Sequence, residues 1–263
     1  MATVDAAQPT VHATFETFRD ELDEHHDRRE RLIKTSRDVT ILSKKIIFSL
    51  HRLLTDGAIS LWSPVSTTPE KTSSVRKTDK QFAAVRELFA TMQPELQSGR
   101  FWRYSRSVSG GVQEYIEALA FAYYLEHHAL MPYKVAQETF KGKDGSLFFP
   151  LTTEDYLLGV SDLTGEIMRL SITSIGTGHT GLKDVLEVCA LVRAWYADLE
   201  ALTPFVRDLR KKQDVTAQSL QKIEAAAYSL SVRGAEYGLL AFGDFKYGPA
   251  PTRDTHEHED DQD

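Results

Sequence analysis

From Val11 to about Thr55 the chain contains neither proline nor glycine, and apolar residues return as Phe15, Phe18, Leu22, Leu32, Ile33, Val39, Ile46, Ile47, Leu50 and Leu54. Their recurrence at three and four residues predicts one very long amphipathic helix, roughly 60 Å at about 1.5 Å per residue. A helix of that length needs a neighbour along it, so the pattern predicts an elongated bundle. Residues 56–77, rich in Ser, Thr and Pro with Trp62 among them, read as a mobile loop.

Helical spacing resumes from about Thr78 to Gln97, where Phe82, Val85, Leu88 and Phe89 share a face, and again from Phe101 to about Leu130. A short helix is expected from Tyr133 to Phe140, before the turn KGKDGS and a brief extended run from Leu147 to Leu151. Thr152 or Thr153 then caps a helix from about Glu154 to Ile175, whose early acids Glu154 and Asp155 suit its positive end. Two more helices follow, Leu182 to Leu202 and Pro204 to Arg233, the last with a possible break near Asp214. No β-rich stretch or repeat is visible. The expected fold is all-α, an elongated bundle of about seven helices forming one domain over residues 11–247, with a flexible N-terminus at 1–10 and a disordered acidic tail at 248–263.

Composition narrows the classes. A chain of 263 residues with 41% hydrophobic residues can bury a sizeable core in one domain. Its net charge of -7 excludes a protein that coats nucleic acid with its whole surface and leaves room for a local basic patch or a basic partner. The single cysteine, Cys189, excludes an internal disulfide and a multi-cysteine zinc site and suits a reducing compartment. The opening MATVDAAQPT lacks the basic and apolar regions of a secretory leader, and no apolar run reaches the length of a membrane span. We therefore expect a soluble, intracellular protein that does not enter a membrane.

Chemistry concentrates in two acidic motifs inside apolar helices, Glu114-Tyr-Ile-Glu117 and Asp162-Leu-Thr-Gly-Glu166. At i,i+3 and i,i+4 spacing both carboxylates of each pair share a helix face. If the two helices pack with those faces together, four carboxylates repel one another unless a hard divalent cation joins them. A di-iron site of the ferritin-like kind needs Glu-x-x-His, whereas Glu114 is followed by Glu117 and Glu166 by Arg169. Oxygen-only ligation favours Mg²⁺ or Mn²⁺ and hydrolysis over redox chemistry. The plain alternative is that Glu166 pairs with Arg169 while Glu114 and Glu117 are solvated.

Other motifs carry less. Gly110-Gly111 weakens its helix by about 1 kcal/mol per glycine and marks either tight helix packing or close approach of a backbone or RNA strand. The loop from Gly176 to Gly181 matches GxGxxG but follows a helix, so it reads as a flexible connection and not a dinucleotide fingerprint. His256 and His258 belong to the solvated tail. Arg28, Arg29, Arg31, Lys34, Arg37, Lys44, Lys45 and Arg52 crowd the second half of the first helix against only Glu30 and Asp38. Such a stripe either holds phosphates, with salt-dependent affinity, or is an ordinary solvated face.

Four segments resemble the translin family, and within it the translin-associated factor X (TRAX) type: DRRERLIKTSRDVT from Asp27 continuing to IFSLHR at Ile47–Arg52, QEYIEA at Gln113–Ala118, DYLLGVSDLTGEIMR at Asp155–Arg169, and YSLSVRGAE at Tyr228–Glu236. The resemblance implies an all-α subunit that joins translin in a hollow hetero-octamer and acts as a Mg²⁺-dependent endoribonuclease on single-stranded RNA. It places the acidic catalytic, metal-binding positions at Glu114, Glu117, Asp162 and Glu166. The implied substrates are small-RNA passenger-strand fragments or precursor-tRNA leader fragments. The rival classes are a non-catalytic RNA-binding or scaffolding subunit and a regulatory adaptor.

Overall fold

The computed structural model describes residues 10–55, 69–176 and 181–237. The expected N-terminal and acidic tails, residues 56–68 with Trp62, and most of the GxGxxG loop lie outside the described residues. Among those described, seven helices and no strand are present: α1 (Val11–Thr55), α2 (Pro69–Leu96), α3 (Phe101–His127), α4 (Tyr133–Glu138), α5 (Thr153–Gly176), α6 (Leu182–Glu200) and α7 (Leu209–Tyr237). None of them is long and apolar enough to cross a membrane.

The boundaries have local causes. α1 runs unbroken for 45 residues because nothing in it interrupts the hydrogen-bond ladder. α2 starts at Pro69, nine residues before the expected Thr78, and proline at a first helical position costs nothing because its missing N–H would be unpaired there. α3 stops where His128 turns left-handed at φ 51° and returns its N–H to the Tyr124 carbonyl at 2.8 Å. The Thr152 hydroxyl caps α5, accepting the Asp155 N–H at 3.0 Å. The expected break at Asp214 does not occur; the interruption falls earlier, at residues 201–208, and ends on Asp208 at φ 65°. The extended run after the KGKDGS turn amounts to a single bridge between Lys141 and Leu147.

Packing follows the order α2, α1, α3, α5, α7, with α6 closing against α7 and α5. Apolar faces meet in one continuous core from Leu32, Val39 and Ile46 on α1, through Val112 and Ile116 on α3, to Leu163 and Ile167 on α5 and Ile223 on α7. At one end Phe89, Tyr115, Phe140 and Phe149 pack ring against ring at 4.8 to 5.4 Å. Such edge and offset contacts add about 0.5–1.5 kcal/mol per pair beyond burial. Tyr115 and Ile116 are fully buried and sit between Glu114 and Glu117, so anchoring them sets how α3 is rotated and where it presents its acids.

The long helix is covered only in part. From about Arg28 onward it lies against α2 and α3, whereas Val11, Phe15, Phe18 and Leu22 stay exposed. Those four are spaced by four, three and four residues, the seam of a two-helix contact.

Candidate metal centre

Two glycines let the three central helices approach closely. A Cβ on Gly111 of α3 would stand 2.6 Å from the Ser36 Oγ and 2.7 Å from the Ser36 carbonyl oxygen on α1. A Cβ on Gly159 of α5 would stand 2.7 Å from the Ile116 Cβ and 2.8 Å from the Gln113 carbonyl oxygen on α3. No side chain fits at either place without moving backbone. The close approach at Gly111 is therefore helix packing, one of the two readings its sequence allowed; Gly110 beside it meets nothing. Three residues beyond each glycine, on the same side of its helix, come Glu114 and Asp162.

The structure brings the four carboxylates into one electrostatic neighbourhood, all half-buried. Burial, then Asp162, Glu114 and Glu166 in that order, push the Glu117 carboxyl up to about 8, while Lys212 pulls it down. Glu117 itself has no hydrogen-bonding or ion-pairing partner among the described residues. Burial also raises Asp162, against the pull of Lys212.

The outer acids each have a basic side chain beside them. Lys44 Nζ on α1 lies 3.2 Å from Glu114 Oε1. Lys212 Nζ on α7 donates to Asp162 Oδ2 at 2.5 Å. His51 Nε2 on α1 lies 2.5 Å from Glu166 Oε2, and its ring packs on Phe121 at 4.7 Å. Arg169 stands 3.9 Å from Glu166, so the pairing expected as the plain alternative exists, but His51 is the nearer partner. As the side chains stand, no three His, Cys, Asp or Glu among the described residues enclose an ion. The donor set nevertheless fits a hard divalent cation: four carboxylates, with Glu117 lacking a cation partner among the described residues, and no thiol among them.

The pattern shared by the Translin family matches residues 27–234. The chain belongs to the translin family. It is 33% identical over 248 residues to the Translin-associated protein X of Rattus norvegicus, a match spanning 86% of this chain and 80% of that protein. It is 28% identical over 231 residues to the Translin-associated protein X homolog of Schizosaccharomyces pombe, across 86% of this chain and 90% of the relative. Its fold is similar to that in the crystal structure of apo-NeC3PO, with a TM-score of 0.61 at 19% identity, covering 87% of this chain and 99% of that one.

The basic stripe of this translin-family chain divides into three kinds of residue. Arg28 is buried and tied to Glu95 of α2 at 2.5 Å and to Glu24 at 2.6 Å, and Arg31 joins the same Glu95 at 2.8 Å. These two clamp α1 to α2. Arg29 pairs loosely with Glu30 at 3.5 Å, and Lys44 belongs to the acid cluster. Lys34, Arg37, Lys45 and Arg52 are exposed and form no ion pair among the described residues.

Several residues at the site carried no signal in the sequence. Lys212 lies 50 positions from Asp162 and His51 lies 115 from Glu166, so only packing brings them in. A cleft of about 580 Å³ between α1 and α3 adds His25, His26, Arg103 and Arg106 to Arg29, with Tyr104 OH 2.6 Å from His25 Nδ1. Arg103 and Arg106 sit in an apolar-rich helix whose acidic motif dominated its reading.

Proposed function

We propose that this translin-family chain is the cleaving subunit of a complex with translin, a Mg²⁺-dependent endoribonuclease for single-stranded RNA in which Mn²⁺ can replace Mg²⁺. The observation that carries the reading is Glu117: a carboxylate largely withdrawn from water, without a partner among the described residues, and surrounded by three others. Such a group is costly to the fold unless a cation is bound there or the charge is given up. Glu114, Glu117 and Asp162 would hold the ion, with Glu166 beside them. A bound divalent ion would activate water and neutralise charge on the scissile phosphate.

The chain's own groups do the rest. Glu166, steadied through Oε2 by His51, keeps Oε1 for the proton of the attacking water. Lys44 and Lys212 add positive charge beside the phosphate. Exposed Lys34, Arg37 and Lys45, with the arginines of the α1–α3 cleft, supply the cationic surface that an acidic chain otherwise lacks. Small-RNA passenger-strand fragments and precursor-tRNA leader fragments are the proposed substrates.

The translin partner is supported by the names of the relatives and by the uncovered seam Val11, Phe15, Phe18 and Leu22, which suits a helix from another subunit of a hetero-octamer. One observation favours a second reading, a non-catalytic nucleic-acid-binding or scaffolding subunit: two of the four carboxylates already have a lysine within 3.2 Å, and a third has His51 beside it.

Glu117→Gln separates the two. It removes one charge and keeps the shape, so the complex should assemble and lose RNA cleavage by on the order of 100-fold or more at saturating Mg²⁺. Unchanged cleavage by the mutant complex would leave only the scaffolding reading.

A further inference from the structure

Phe48 is a large aromatic residue in the middle of α1 whose surface is 55% exposed. A lone exposed phenylalanine needs no explanation; the position of this one does. It lies four residues after Lys44, which reaches Glu114, and three before His51, which reaches Glu166. At those spacings Phe48 is on the same side of the helix as both, its Cβ about 5–6 Å from each of theirs. The ring therefore stands at the rim of the carboxylate cluster, within one helical turn of its two α1 contacts.

Two of its other neighbours are cations. Arg52 follows by four residues and Lys45 precedes by three, both exposed and unpaired among the described residues. Exposed Ile41 lies two turns before Phe48, with Lys34 and Arg37, likewise unpaired among the described residues, beyond it. From Lys34 to Arg52 the helix rises through 18 residue steps, or about 27 Å at about 1.5 Å per residue. That length accommodates several nucleotides of an extended strand. An aromatic face among cations, open to solvent and adjoining an acid cluster, matches what a single-stranded nucleic acid offers: flat bases alternating with phosphates. A protein partner seated there would have to be acidic and apolar at once, and it would cover the approach to the carboxylates.

We infer that Phe48 stacks on the base of the nucleotide adjoining the scissile phosphate, while Lys45 and Arg52 hold the flanking phosphates. The inference rests on the nuclease reading for the word scissile; base stacking itself does not. It makes Phe48 a substrate-contacting residue that sets which linkage enters the site and rejects duplex, whose bases are already stacked.

The test uses the chain assembled with translin and an RNA oligonucleotide carrying 2-aminopurine at successive single positions. In the Glu117→Gln complex, which binds without cutting, one position should show stacking-induced quenching, lost in Phe48→Ala and kept in Phe48→Trp. In the otherwise wild-type complex, Phe48→Ala should lower single-turnover cleavage about tenfold for ordinary RNA. For RNA with an abasic nucleotide at the quenched position, it should cut no more slowly than wild type. Quenching at no position, or equal cleavage loss on ordinary and abasic RNA, overturns the inference. So does loss of assembly with translin in Phe48→Ala, since the face would then be a subunit contact. Failure of the nuclease reading appears separately, as undiminished cleavage by Glu117→Gln, and leaves the quenching result standing.

Discussion

Gly159 of α5 lies so close to Ile116 of α3 that a Cβ on the glycine would stand 2.7 Å from the Ile116 Cβ. Since the Gln113 carbonyl oxygen would be as near, at 2.8 Å, rotating a side chain cannot make room. Gly159→Ala should force the helices apart and cost about 1–3 kcal/mol, read as a lower denaturant midpoint. Its RNA cleavage should fall even at temperatures where it stays folded, because Asp162 is one turn away. Wild-type stability would show that the helices separate freely there.

Glu117 gives a pH signature. Its carboxyl, normally near 4.5, is raised to about 8 in the fold, so the folded chain holds a proton that the unfolded chain releases. Below the ordinary value the group costs nothing. As pH climbs from there through about 8 a penalty accumulates, and above that it is fully present, on the order of a few kcal/mol. Without divalent metal, Glu117→Gln should match wild type near pH 4 and exceed it in stability near pH 9. Denaturant midpoints at the two pH values check this; a constant difference contradicts the placement of Glu117.

Lys212 pulls down both Glu117 and Asp162. Replacing it in Lys212→Met leaves a half-buried acid unpaired and should cost about 1–3 kcal/mol in metal-free buffer. Mg²⁺ should recover more stability in this variant than in wild type, because the ion takes over the missing charge. Melting temperatures with and without Mg²⁺ decide it, and an equal Mg²⁺ shift in both proteins would show that the ion binds elsewhere.

The cations of α1 should separate by role. Lys45→Ala and Arg37→Ala should each weaken RNA binding and reduce the slope of log affinity against log salt by about 1. Arg31→Ala should instead lower thermal stability, through the lost contact to Glu95, and leave the salt slope unchanged. If all three variants lower the slope alike, the division of the stripe is wrong.

The fold was legible in the sequence where one periodic pattern governed a whole element. α1 is visible because 45 residues pass without a proline or glycine, and α5 because Thr152 and its early acids mark the start. The start of α2 was missed because Ser and Thr within residues 69–77 suggest a loop, although Pro69 can begin a helix. The end of the interruption before α7 was misplaced because Asp208 takes its left-handed turn without glycine. At the site, i,i+3 and i,i+4 spacing gave the two carboxylate pairs, but nothing local shows which basic side chains meet them. Lys44, His51 and Lys212 arrive from two other helices, and Arg28 and Arg31 look like their free neighbours until α2 places Glu95 against them.

Assembly has its own test. The chain alone should cleave RNA poorly and gain Mg²⁺-dependent activity when mixed with translin, because its net charge of -7 leaves RNA affinity to a short basic stripe and to whatever surface a partner adds. Leu22→Lys, which places a charge on the exposed seam, should weaken co-assembly without changing the fold of the isolated chain. Mass measurement on the mixture, paired with a cleavage assay, checks both; full activity in a verified monomer contradicts the need for a partner.

α3 and α5 should hold a divalent metal between them. Anomalous diffraction from crystals of the complex with translin, soaked in Mn²⁺, measures it directly. An anomalous peak bound by Glu114, Glu117 and Asp162, and lost in Glu117→Gln, is expected. A complex that cleaves RNA with Mn²⁺ yet shows no peak at those three side chains would contradict it.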